Sequence, residues 1–126
     1  MGKRARDRDL PDTDAKAVAR MLRVSPQKLN LLAQLIRGKK VAAALADLTF
    51  SQKRIAKEVK KCLESAIANA QNRFEDVDVD RLYVSTAYVN EGPRLKRVRP
   101  APMGRAYRRQ RRMSHIVIKV TEKAEN

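Results

Sequence analysis

The residues best suited to chemistry in this sequence of 126 residues are the basic side chains between Arg94 and Arg112. Nine positions of this segment are basic, and eight of the nine are arginine: Arg94, Lys96, Arg97, Arg99, Arg105, Arg108, Arg109, Arg111 and Arg112. The guanidinium group binds phosphate through two parallel hydrogen bonds and also stacks on a nucleic-acid base. Because no acidic residue occurs from Gly92 to Thr121, the segment predicts a surface that binds phosphate groups.

The basic residues are concentrated at the two ends of the sequence. The net charge is +7 over residues 1–40, zero over 41–81 and +8 over 82–126, and the chain as a whole carries +15 with a pI of about 10.7. A compact chain of this charge repels itself, so a polyanionic partner is expected. A pI above about 9 is typical of nucleic-acid-binding domains, although lipid surfaces and acidic proteins are polyanions too.

Residues that would indicate catalysis, a metal or a cofactor are scarce. The single histidine, His115, falls in a strand-like segment, where a structural or RNA-contacting role is favoured over that of a general base. The single cysteine, Cys62, lies beside a helical apolar stripe, and the four glycines are isolated from one another. We therefore expect no catalytic site, no metal site, no cofactor and no enzymatic activity.

The same counts indicate the compartment. One cysteine cannot form an internal disulfide, which suits the reducing cytoplasm. No apolar run approaches the 18 or so residues of a membrane span, and residues 1–14 lack the apolar stretch of a signal peptide. We expect a cytoplasmic protein without membrane contact, in which residues 1–14 form an extension and residues 15–126 a single α+β domain.

Three helices and a first strand are predicted between Ala15 and the acidic residues at 75–80. Ala15–Val24 alternates loosely and suits a strand in which Val18 and Leu22 share one face. Ser25-Pro26 is a helix start, followed by apolar residues at helical spacing: Leu29, Leu32, Leu35 and Ile36. A second helix is predicted over Val41–Leu48.

The third helix is predicted to begin at Ser51. Ser51 is placed as the N-cap, with Phe50 and Ile55 as the two members of a hydrophobic staple. The core-facing stripe continues at a period of 3.6 through Ile55, Val59, Leu63, Ile67, Ala70 and Phe74.

From Leu82 the apolar period changes to two, which predicts a long β-hairpin. Leu82–Val89 and His115–Val120 are strand-like, and the strongest turn signal between them is the segment 100–104. With this tip, Arg99 is expected opposite Arg105, and Val89 opposite His115. The hairpin is predicted to extend over 88–116, and its distal half has few apolar residues that could be buried.

Three kinds of nucleic-acid-binding protein fit these features. The first is a protein that binds folded RNA through phosphate neutralisation and shape, because aromatic residues for a stacking platform are scarce. An architectural DNA-binding protein also uses arginine-rich arms, but in pairs from an intertwined dimer. A free RNA chaperone is the third possibility, and composition alone leaves it open.

Three groups of residues resemble a known family. They are Ser-Pro-Gln-Lys at 25–28 with Leu-Ile-Arg-Gly-Lys-Lys-Val at 35–41, Leu-Glu-Ser-Ala-Ile-Ala-Asn-Ala at 63–70, and Asn-Glu-Gly-Pro at 90–93 with Leu-Lys-Arg at 95–97, Pro-x-x-x-Gly-Arg-Ala at 100–106 and Ser-His-Ile at 114–116. In this order and spacing the sequence resembles the bacterial family of large-subunit ribosomal protein twenty-two, over about residues 16–121.

The resemblance implies a fold and a role. The implied fold is α+β, with three helices packed on a small three-stranded antiparallel sheet and one long protruding hairpin. The implied role is structural: binding large-subunit ribosomal RNA, assisting early assembly, and lining the nascent-peptide exit tunnel with the hairpin. The implied partners are that RNA, neighbouring ribosomal proteins and the nascent polypeptide, at one copy per ribosome, with no DNA.

The resemblance also implies residue roles. The tunnel-lining residues would be Leu95, Lys96, Arg97, Pro100, Ala101, Pro102, Met103, Gly104 and Arg105. The RNA-binding residues would be the nine basic residues of 94–112 together with Lys28, Arg37, Lys39 and Lys40.

Overall fold

The computed structural model describes residues 13–74 and 76–122, together with Gly2 and Ala5. Most of the predicted extension over residues 1–14 therefore lies outside the described residues. The elements in chain order are β1 (Asp14–Leu22), α1 (Pro26–Ile36), α2 (Val41–Phe50), α3 (Ala56–Arg73), β2 (Leu82–Pro100) and β3 (Ala106–Glu122). The strands form one antiparallel sheet in the order β1-β3-β2, which confirms the predicted α+β class.

The core lies between the helices and one face of the sheet. Ile116, Ile118 and Val120 of β3 are fully buried, as their alternation predicts. The predicted start of α1 is also confirmed, since the Ser25 hydroxyl accepts a hydrogen bond from the backbone N–H of Lys28 at 3.4 Å. The stripe on α1 differs in one position: Ala33 is buried, whereas the predicted Leu35 is 39% exposed.

Strand β1 differs from its prediction because of one residue. Met21 adopts a left-handed conformation (φ 57°), and the pairing with β3 shifts between Ala19 and Leu22. The shift reverses the alternation, so Leu22 points to the core while Val18 is 41% exposed. The predicted shared face of Val18 and Leu22 was therefore wrong, and the strand ends at Leu22 instead of Val24.

The boundary between α2 and α3 was also predicted wrongly. Ser51 ends α2, and α3 begins at Ala56. Phe50 is 85% exposed, so it does not form the predicted staple with Ile55. The stripe on α3 itself is buried as predicted at Val59, Leu63 and Ala70.

The predicted hairpin is present, but its register differs. The tip turn is Ala101–Arg105, closed by a hydrogen bond from the Ala101 N–H to the Arg105 carbonyl oxygen at 2.9 Å, so Arg99 pairs with Tyr107 and not with Arg105. Two irregularities, between Val84 and Thr86 and between Glu91 and Arg94, change the register again toward the base. There Val89 pairs with Ile116 instead of His115.

Among the described residues, no helix is long and apolar enough to cross a membrane.

Candidate nucleic-acid interface

The outer part of the hairpin, residues 92–113, is a two-stranded arm that leaves the body of the protein. Beyond the pair Glu91–Ser114, residues 93–100 and 102–112 are all exposed to solvent. Nine residues on β2 between Gly92 and Pro100 give the arm a reach of about 30 Å at ~3.3 Å per residue. The apolar side chains there are exposed as well, with Val98 at 71% and Met103 at 94%. The arm therefore makes no hydrophobic core of its own.

The pairing within the arm sorts its basic residues onto two faces. Leu95, Arg97 and Arg99 pair with Arg111, Arg109 and Tyr107, and these six residues share one face. The opposite face carries Arg94, Lys96 and Val98, which pair with Arg112, Gln110 and Arg108. Arg105 lies at the end of the tip turn.

Like charges stand directly opposite each other on both faces. Arg97 pairs with Arg109, and Arg94 pairs with Arg112. Within the described part of the chain, Arg94 is the one arm cation that forms an ion pair, to the Glu91 carboxylate at 3.1 Å. Opposed like charges weaken a two-stranded ribbon, so an anion bound along the arm would stabilise it.

The arm and the body form a cleft of about 1170 Å³, lined by residues from both faces of the arm. The body wall contributes Arg23, Lys28 and Arg54, and the arm wall contributes Arg97, Arg99, Arg109, Arg111 and Arg112. Among the residues that the structure describes, none that lines the cleft is acidic. Arg23 and Arg54 were not predicted as site residues, because only the folded chain brings them close to the arm.

The four basic residues predicted on the body occupy different settings. Lys28 lines the cleft, and Lys40 is exposed. Arg37 has internal partners: its Nε donates to the Ala87 carbonyl oxygen at 2.6 Å, and a terminal nitrogen donates to the Asn30 side-chain oxygen at 3.0 Å. Lys39 forms an ion pair with Asp47.

The tip turn requires a left-handed backbone at two successive residues. Met103 (φ 64°) and Gly104 (φ 72°) both adopt it within the short 3₁₀ turn Pro102–Gly104. Glycine adopts this conformation without strain, whereas methionine does so at a cost. The turn presents the Met103 side chain almost entirely to the surroundings.

His115 and Cys62, the two residues considered for catalysis, are both held by contacts within the fold. The His115 Nδ1 accepts a hydrogen bond from the Met21 N–H at 3.1 Å, which holds the irregularity in β1. Burial raises the pKa of the Cys62 thiol to about 11, opposed by a backbone hydrogen bond at Ala19 that lowers it, so the thiol is a poor nucleophile. No group of three His, Cys, Asp or Glu side chains that could hold a metal occurs in the described ranges.

The α+β body and its exposed cationic arm define a small basic protein with a large positively charged surface. The family model described as Ribosomal protein L22p/L17e matches residues 17–121. The chain belongs to this family of ribosomal proteins. It is thus a structural component and not an enzyme, and the predicted location in the cytoplasm, in the large ribosomal subunit, is confirmed.

Relatives of high identity cover nearly the whole chain. A protein of Solibacter usitatus (strain Ellin6076) is 68% identical over 108 residues, which are 86% of this chain and 96% of the relative. A protein of Methylobacterium nodulans is 65% identical over 122 residues, 97% of this chain and 95% of the relative. A protein of Rhodopseudomonas palustris (strain ATCC BAA-98 / CGA009) is 60% identical over 125 residues, 99% and 98% of the two chains. All three are named "Large ribosomal subunit protein uL22".

Proposed function

We propose that this structural constituent of the large ribosomal subunit binds large-subunit ribosomal RNA mainly through its arm. The observation that carries the proposal is the exposed ribbon over residues 93–100 and 102–112, which has no core and whose basic side chains lie within the acid-free segment from Gly92 to Thr121. Phosphate neutralisation supplies most of the affinity for nucleic acid that is independent of base sequence. The nine basic residues of 94–112 are the proposed contacts, with Arg94 partly neutralised by Glu91.

The body is the proposed second contact. Lys28 and Lys40 present their charges to solvent or to the cleft, and either can reach phosphate. Arg37 already donates to the Ala87 carbonyl oxygen and Lys39 to the Asp47 carboxylate, so each would contact RNA only through its remaining N–H donors. Exposed apolar side chains on the helices, such as Phe50 and Leu31, are suited to neighbouring ribosomal proteins.

The tip is the proposed tunnel-lining element. Of the residues that the resemblance implies for this role, Lys96 and the segment from Pro100 to Arg105 are proposed to face the nascent polypeptide, whereas Leu95 and Arg97 line the cleft beside the body. Two features support this part of the proposal. The tip is the point of the arm most distant along the ribbon from the body, and the side chain it exposes most, Met103, is apolar and uncharged. At Met103 the tip therefore presents an apolar side chain to a passing peptide, whereas Lys96 and Arg105 add positive charge elsewhere on the proposed surface.

The early role in assembly that the family resemblance implies is supported by the energetics of the arm. A ribbon with opposed arginines and no core gains stability only when an anion surrounds it. Ordering of the arm and folding of the RNA around it would therefore stabilise each other. One copy per ribosome is the number that the family resemblance implies.

Sedimentation of the tagged protein from a cell lysate tests the proposal. At low magnesium, where ribosomal subunits separate, we expect stoichiometric migration with the large subunit that survives moderate salt. Removal of the ribosomal RNA by ribonuclease should release the protein. Migration with DNA, or at the top of the untreated gradient, would contradict the proposal.

A further inference from the structure

We propose that the cleft between the arm and the body holds an unpaired segment of RNA, with phosphates against both walls. This inference rests on the proposed RNA binding and assigns it a location, a strand type and two residues, Arg23 and Arg54, that the sequence pattern does not identify.

The basic residues on both walls of the cleft favour binding of a polyanion between the walls. Five basic residues of the arm and three of the body line one concave space, and no acidic residue of the described ranges is among its lining. A concave surface of one charge with low-dielectric walls concentrates its field, so an anion between the walls interacts with both. An anion on the opposite face of the arm would meet Lys96, Arg108, Arg112 and the partly neutralised Arg94, but not the three basic residues of the body wall.

The apolar side chains that line the cleft favour an unpaired strand over a duplex. Val24, Leu95, Val98 and Met113 line the cleft between the basic groups. In a duplex the base faces are stacked internally, and only phosphates and groove edges would meet these side chains. An unpaired strand instead offers its bases to apolar side chains and to guanidinium planes while its phosphates remain available to Arg and Lys.

The body wall is held in place before any ligand binds. Next to Arg23, the Val24 carbonyl oxygen accepts a hydrogen bond from the buried Ser114 hydroxyl, and the Val24 N–H donates to the Leu22 carbonyl oxygen at 2.9 Å. Arg54 lies in the short connection between α2 and α3, where the Ala56 N–H donates to the Lys53 carbonyl oxygen at 3.1 Å. A body wall that is already fixed reduces the ordering cost of binding on that side of the cleft.

The test compares two double variants of the full chain that remove the same charge. Arg23→Ala with Arg54→Ala removes the body wall, and Lys57→Ala with Lys61→Ala removes two exposed charges from α3, away from the cleft. All four side chains are exposed, so thermal unfolding should show both variants folded. The probes are a labelled oligouridylate of about 12 nucleotides and an RNA duplex of the same length, each titrated at several salt concentrations.

We expect the wall variant to lose about tenfold or more in affinity for the single strand, and its salt slope to fall by about 1.4, the value for two lost phosphate contacts. The control should change less than about twofold, and the unaltered protein should prefer the single strand to the duplex. Equal losses in the two variants, or preference for the duplex, would overturn the inference.

A third variant, in which Arg108, Arg109, Arg111 and Arg112 of the arm are changed to Glu, separates this inference from the proposed function. If this arm variant loses RNA binding while the wall variant binds normally, the arm remains the RNA-binding element and the cleft is not the site. If neither change weakens binding, the proposed function fails as well.

Discussion

Gly92 lies so close to the backbone of Met113 that a β-carbon on Gly92 would be 3.0 Å from both the carbonyl carbon and the carbonyl oxygen of Met113. The contact falls where the pairing of β2 and β3 is interrupted, between Glu91 and Arg94. Pro93, which has no N–H to donate to the ladder, follows within the same interruption. The root of the arm is therefore a close backbone contact that sets the direction of the ribbon.

Gly92→Ala should distort the root of the arm and destabilise the protein by about 1–3 kcal/mol, because the new methyl group meets backbone atoms that cannot rotate away. Amide chemical shifts should change along residues 94–112 while those of the helices stay the same. Gly104→Ala is the control, since a β-carbon there meets nothing within 4 Å and only the left-handed φ of 72° is penalised, at about 1–2 kcal/mol. Shift changes confined to the tip in both variants would contradict the role of Gly92.

Ser114→Ala should cost about 1–3 kcal/mol of unfolding free energy. Ser114 is fully buried, and its hydroxyl donates to the Val24 carbonyl oxygen, which would lose that partner. Ser85→Ala is matched to it, because the Ser85 hydroxyl donates to the Lys119 carbonyl oxygen at 3.2 Å at an exposed position. That variant should stay within about 0.5 kcal/mol. Chemical denaturation measures both, and equal costs would show that the buried bond does not hold the loop.

Cys62 should react slowly with thiol reagents in the folded protein, since its pKa is raised to about 11 by burial. The ordinary value is 9.0, so the unfolded chain releases the thiol proton at lower pH than the folded one. The contribution of the thiol to stability is therefore present in full below pH 9 and is lost as the pH rises toward 11. The difference in unfolding free energy between the unaltered protein and Cys62→Ala should shrink over this range. A constant difference would contradict the burial effect.

The body should fold without the arm. We propose that residues outside 92–113 form the folding unit, because none of the residues in the hydrophobic core belongs to the arm. Replacing 92–113 with Asn-Gly, a two-residue hairpin turn closing on the pair Glu91–Ser114, should preserve a cooperative thermal transition close to that of the full chain. Loss of that transition would show that the arm and the body fold together.

Periodicity in the sequence was sufficient to predict the elements that form the core. The buried stripes of α3 and β3 follow directly from spacing, because side chains on one face of a helix or strand recur at a fixed interval. The start of α1 followed from Ser25 and Pro26, whose chemistry is local.

The errors arose where tertiary contacts override local preference. The left-handed Met21 is supported by His115, which lies 94 residues away in the sequence, and no local pattern indicates it. The register of the hairpin was wrong because the turn is Ala101–Arg105 and two irregularities add residues to one strand. Serine is a common N-cap residue, yet Ser51 ends α2, and α3 begins only at Ala56.

The residues of the cleft could be predicted only in part, because some of them are brought together by tertiary packing. The arm was identifiable because its basic residues are contiguous in the sequence. Arg23 and Arg54 lie in two loops that are far from the arm and from each other in the sequence, and only the folded chain brings them to the cleft.

The most direct test of the central claim is the salt dependence of RNA binding after charge reversal on the arm. Arg108, Arg109, Arg111 and Arg112 are changed to Glu in one variant, and Lys53, Lys57, Lys60 and Lys61 in a control with the same change in net charge. We expect the arm variant to lose most of its affinity for large-subunit ribosomal RNA and its salt slope to fall by about 3, the value for four lost phosphate contacts, while the control keeps a slope near that of the unaltered protein. An unchanged slope in the arm variant, or an equal fall in the control, would contradict the account.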